Sequence, residues 1–135
     1  MICSSVHLTV VSIYMIDYVL NISDGGVSKI KEATQADAEM LALIKVIQAG
    51  WPESQDELPI SVKDYFTFRD ELSVQNGLIF KGDRLVVPQA IRPEMIRRIH
   101  SSHLGIQSCL RRAREAVYWP LMNGDVTAHI SACSM

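Results

Sequence analysis

The chain predicts an α+β fold that is mainly helical, with a short β-hairpin at about residues 78–87 between a helical first half and three short helices at the end. Three observations carry that reading. Apolar residues recur at helical spacing around residues 36–50 and again after residue 92. Two short runs, Leu78-Ile-Phe80 and Arg84-Leu-Val-Val87, flank Lys81-Gly82-Asp83, the pattern of two strands joined by a glycine-containing loop. Turn-forming residues fall between these stretches, at Gly50 with Pro52, Asn76-Gly77, Gly105 and Pro120.

In order along the chain, residues 6–22 form the most apolar stretch, rich in β-branched and aromatic residues. They read as a buried strand first and a helix second. No Lys or Arg precedes them, which makes a poor signal peptide, and Asp17 interrupts them, which makes a poor membrane span. Asn21-Ile-Ser-Asp-Gly-Gly26 reads as a turn, and Thr34 as the N-cap of a helix with Met40, Leu41, Ile44, Val46 and Ile47 on its apolar face. Gly50 and Pro52 end that helix. A polar, acidic connection over 52–60 leads to a second helical stretch, Ile60 to Leu72, with Val62, Tyr65, Phe66, Phe68 and Leu72 as its buried stripe. Pro88 closes the hairpin and Pro93 opens the next helix, PEMIRRIHSSH. After Gly105, IQSCLRRAREAVYW reads as a helix burying Ile106, Leu110, Ala113 and Val117 and stopped by Pro120. Asn123-Gly124-Asp125 reads as a capping turn before a last helix carrying Val126, Ile130 and Cys133.

Composition narrows the function classes. The 135 residues are 48% apolar and 21% charged, which excludes a disordered tail, a collagen-like fibre and a disulfide scaffold. Three widely spaced cysteines, Cys3, Cys109 and Cys133, form no closed disulfide set, so a reducing compartment, nucleus or cytoplasm, is expected. The net charge of −2 hides an asymmetry: residues 24–75 hold ten acidic and five basic side chains, whereas residues 76–118 hold eight basic and three acidic ones. A polyanion partner for the basic half and charge pairing between halves both account for it. No nucleophile elbow, phosphate-cradling glycine loop or metalloprotease motif is present, and no carboxylate pair marks an acid–base site.

The residues suited to chemistry are His100 and His103, three apart on one helical face, and Cys133. Imidazole nitrogen and thiolate sulfur are ligands zinc prefers. Short helices bury little apolar area, and a metal would supply the missing stabilisation. Arg111, Arg112 and Arg114 suit phosphate contacts or a solvated helix face. Trp119 and Tyr118 read as packing aromatics, Cys3 as an inert thiol and His7 as a packing residue.

Residues 87–133 carry, in order, His100-Ser-Ser-His103-Leu-Gly105, Arg111-Arg112-Ala-Arg114, Tyr118-Trp119-Pro120-Leu-Met122, Asp125-Val126 and Cys133. In this the segment resembles the zinc-binding (H2C2, or HHCC) region of Ty3/Gypsy-type retrotransposon integrases. The stretch from about residue 22 to 88, with ATQADAEM, GWPE, YFTFRDELS and GLIFKGDRLVVP, is similar to the N-terminal extension before that region. The resemblance implies three parts: residues 1–21 unassigned, 22–88 an extension with helices and hairpin, and 89–135 the zinc-binding unit. It implies Zn2+ held by His100, His103 and Cys133. The family's second cysteine would fall one residue past Met135, so the fourth ligand is expected to be missing, with His129 and Cys109 as weak substitutes. Nucleic-acid contacts at Arg111, Arg112 and Arg114, and element DNA ends and other integrase subunits as partners, are implied in the same way. No small-molecule substrate and no catalysis by this chain are expected, since strand transfer in the family belongs to a following domain. The alternative is a domesticated or relic helical interaction module without integration activity.

Overall fold

The computed structural model describes residues 24–100 and 105–133, so the apolar stretch 6–22, with Cys3 and His7, lies outside the described residues. The fold is mainly helical α+β. Helices α1 (Asp24–Gln35) and α2 (Ala38–Ala49) precede a short α3 (Ile60–Lys63). Strands β1 (Leu72–Gln75), β2 (Leu78–Lys81) and β3 (Arg84–Val86) follow. Then come α4 (Arg92–His100), α5 (Ile106–Ala116), a two-residue β4 (Val117–Tyr118) and α6 (Met122–Cys133).

Several expectations at the element ends are corrected. Asp24, Gly25 and Gly26 are the first turn of α1 rather than a loop. First-turn amides need no partner within the helix, so glycine is tolerated there, and packing of Ile30 and Thr34 holds the rest of α1. Thr34 is no N-cap. It is buried inside α1, and its hydroxyl donates to the Ile30 carbonyl at 2.9 Å. The cap of α2 is Asp37, whose Oδ1 accepts from the Met40 amide at 3.1 Å. Its Oδ2 accepts from the Gln89 amide at 3.1 Å, so one carboxylate ties α2 to the turn before α4. α2 buries Met40 and Leu43 and leaves Leu41 exposed, while Gly50 ends it at φ 107° with its amide on the Val46 carbonyl.

The second helical stretch is shorter than its apolar spacing suggests. α3 spans one turn, a 3-10 segment runs Phe66–Glu71 with Phe68 out of helical geometry, and Leu72 already belongs to β1. Asn76-Gly77 closes a first hairpin, β1 with β2, with φ of 55° and 79° at the two residues. This is the twist a two-residue hairpin loop requires. The expected hairpin, β2 with β3, pairs Phe80 with Leu85 and Lys81 with Arg84 around Gly82. The helix expected over 106–119 stops at Ala116. Val117 and Tyr118 leave it to pair in parallel with Leu85 and Val86, so the helix ends four residues before Pro120. Asn123-Gly124-Asp125 lies inside the first turn of α6, not before it.

The sheet runs β1-β2-β3-β4, and its alternating side chains feed two cores. Leu78, Phe80, Leu85, Val87 and Val117 pack with α1, α4, α5 and α6 around Trp119. Ile79, Val86 and Leu72 face α2, α3 and an aromatic group of Tyr65, Phe68 and Tyr118.

Because Asp37 both caps α2 and holds Gln89, Asp37→Ala is expected to destabilise the chain by about 1–2 kcal/mol, read as a lowered urea midpoint at unchanged slope.

Candidate metal centre and basic face

α4 carries the first predicted ligand. Met95 and Ile99 turn inward, and His100 follows at the end of the helix, half-buried. α6 is fixed at its start by Trp119, which is fully buried and donates from Nε1 to Asp125 Oδ2 at 2.9 Å. From there Val126 and Ile130 turn into the core, which sets His129 towards α4. The imidazoles of His100 and His129 meet edge to face, with ring centroids 5.5 Å apart and planes at 90°.

That arrangement suits a metal. Two imidazoles on one tetrahedral zinc, with Zn–N near 2.0–2.1 Å, have centroids about 5 Å apart. The two rings, carried by two helices, thus stand at about the centroid separation that a shared ion would set. His103 and the Cys133 side chain lie outside the described residues. Among the described residues no group of three or more His, Cys, Asp or Glu could hold a metal ion. Cys109, the other substitute, is wholly buried in the core cluster and makes no three-donor group with His100 and His129. Burial pushes its thiol above the ordinary range, against the pull of Arg112.

The basic residues divide between the two readings of the charge asymmetry. Lys29 with Glu94 at 3.4 Å and Lys81 with Glu71 at 3.7 Å are pairs between the acidic and basic halves. Arg111 and Arg114, by contrast, are exposed on α5 and enter no ion pair among the described residues, while Arg112 is half-buried. Arg84 was not singled out by the sequence. It lies 30 positions from Arg114, and no local spacing signals that both line one cavity of about 430 Å³. Tyr118, read as a packing aromatic, is half-buried beneath Arg84 and Lys81, whose cationic groups lie 5.2 Å from its ring centroid.

With this geometry in place, comparison with known proteins identifies the segment. Residues 87–135 match the family model of the integrase zinc binding domain, a non-catalytic zinc-binding type. The chain is similar to "Uncharacterized protein K02A2.6" of Caenorhabditis elegans, 25% identical over 107 residues, covering 78% of this chain and 8% of that protein. It is also similar to the Pro-Pol polyprotein of feline foamy virus, 28% identical over 95 residues, covering 68% of this chain and 8% of that polyprotein. This chain therefore matches about one twelfth of the length of these relatives. No solved structure matches it significantly. The order of motifs over 87–133 and the family match over 87–135 thus agree.

If Cys109 is a core thiol, a chromogenic disulfide reagent at neutral pH should label it at least about tenfold more slowly in the native chain than in urea, followed by peptide mapping. Labelling at equal rates in the two states would contradict its burial.

Proposed function

We propose that this chain is a non-catalytic segment of a retroelement integrase of Ty3/Gypsy type, acting in the nucleus or cytoplasm. Its zinc-stapled unit, residues 89–135, helps bind nucleic acid and assemble integrase subunits, and residues 22–88 form the extension that supports it. The observation that carries this reading is the family match over 87–135, on a fold that leaves Arg111 and Arg114 exposed along α5. Guanidinium forks match phosphate oxygens and retain their charge at every physiological pH. Phosphate contacts position a protein on nucleic acid and need no base reading.

His100, His103 and Cys133 are the ligands in this proposal, and His129 is the described side chain best placed to join His100. The bound ion would supply a structural crosslink between the end of α4 and the end of α6. Imidazoles must be neutral and the thiol ionised to bind it, so protons compete with zinc for these ligands.

Two experiments test the proposal. In fluorescence anisotropy with a labelled duplex, affinity should fall steeply as salt rises, and the double variant Arg111→Glu, Arg112→Glu should reduce it by about tenfold or more. Salt-insensitive association with a protein partner would favour an interaction module instead. In competition with a chromophoric chelator, one zinc per chain should bind with micromolar or tighter affinity. His103→Ala should abolish uptake, and His129→Ala should weaken it by about tenfold or more.

A further inference from the structure

Arg84 and Arg114 line the same cavity of about 430 Å³, together with Tyr118, Leu121, Asn123 and Gly124. Arg84 is held in place. Its Nε donates to the Val117 carbonyl at 3.0 Å, and its guanidinium carbon lies 5.2 Å from the Tyr118 ring centroid. Such contacts remove the rotamer freedom that a long side chain would otherwise lose on binding. Arg114, in the last turn of α5, is exposed and adds a second fork.

The balance of charge in the cavity is one-sided. No carboxylate is among its lining residues. Glu71, the carboxylate that acts on Arg84 from a distance, is paired with Lys81 at 3.7 Å. Arg84 is pressed below its ordinary proton affinity, by burial first and by the charge of Arg114 as well. Two like charges share this wall, and an anion between them would relieve the repulsion. Asn123 and Gly124 belong to the first turn of the twelve-residue α6, whose amide dipoles add potential of the same sign. The arginines carry the argument, and the helix end reinforces it.

We propose that Arg84 and Arg114 form a pocket that seats one phosphodiester group of a nucleic-acid strand. A strand is favoured over an isolated phosphate because the positive charge does not stop at the pocket. Arg111 continues it one turn back along α5, about 4.5 Å of helix rise from Arg114, so neighbouring phosphates of the same backbone meet further cations. The cavity is also larger than a lone phosphate needs and falls in the range that holds small ligands, which leaves room for an adjoining sugar. This inference rests on the nucleic-acid reading above and adds to it a site built from the hairpin as well as from α5.

The test follows the arginine Nε–H signals of the zinc-loaded full chain by NMR during titration with a short oligonucleotide or with inorganic phosphate, alongside anisotropy on variants. The oligonucleotide should shift the Arg84 signal saturably, and inorganic phosphate at equal concentration should produce less than about a tenth of that shift. Arg114→Gln, a surface change, should lower oligonucleotide affinity about fivefold and reduce the salt slope by about one, while Lys45→Gln, at an exposed position of α2, should change neither. An unmoved Arg84 signal, with binding that persists in Arg114→Gln and disappears in Arg111→Glu, overturns the pocket while the nucleic-acid role survives. Saturation by inorganic phosphate as readily as by the oligonucleotide overturns the strand as its occupant. Absence of any oligonucleotide binding overturns both readings.

Discussion

Two backbone registers, Leu85 with Val117 and Val86 with Tyr118, hold the structure together. They make β4 a parallel edge on β3, and the Val87 amide extends the ladder to the Tyr118 carbonyl at 3.0 Å. A two-residue strand contributes little by itself. Its importance lies in what comes next: Trp119, fully buried, whose indole donates to Asp125 at the start of α6. The pairing therefore sets where α5 stops and where α6 begins. It also joins the last three helices to the sheet, so the hairpin and the helical unit share one core. The same strand presents Tyr118 to the opposite core, against Phe68 and Tyr65.

That sharing changes what a metal has to accomplish. Three short helices standing alone would bury too little apolar surface to be stable. Here Met95, Ile99, Leu110, Val126 and Ile130 pack with Phe80, Leu85 and Ile30, side chains from the sheet and α1. The demand on a crosslink is then local. In the proposed site it would fall where α4 ends and α6 approaches, at the level of His100 and His129, the two imidazoles the fold brings together.

Charge is distributed by the same logic. Acidic and basic halves of the sequence meet across the fold through Lys29 with Glu94 and Lys81 with Glu71. These are exposed or half-exposed pairs of small individual worth. Lys81 with Glu71 offsets part of the asymmetry, whereas Lys29 with Glu94 joins the minority charge of each half, and the outer face of α5 and the Arg84 wall stay positive. Arg84 itself is spent on structure in one direction, through Val117 and Tyr118, and faces the cavity in the other.

Signals confined to a few neighbouring residues were legible in the sequence. Gly82 in its loop, Gly50 as a helix end and Pro93 in a first turn each act through their own backbone, so one-dimensional reading suffices. Pro93 and the change of period after the hairpin also disclosed that His100 stands on a helix, and the order of motifs from His100 to Cys133 disclosed a resemblance to the integrase zinc binding domain, whose family model matches residues 87–135. Tertiary structure decided the rest. Val117 continues the apolar face of α5 and looks helical, but a free edge on β3 outcompetes one more helical turn. Thr34 resembles a cap, yet Asp37 takes that role because its carboxylate serves Met40 and Gln89 at once. The approach of His129 to His100, and of Arg84 to the cavity of Arg114, depends on contacts between residues about thirty positions apart. Local propensity reports on a residue's own turn of chain, whereas those meetings are set by how the sheet and helices pack.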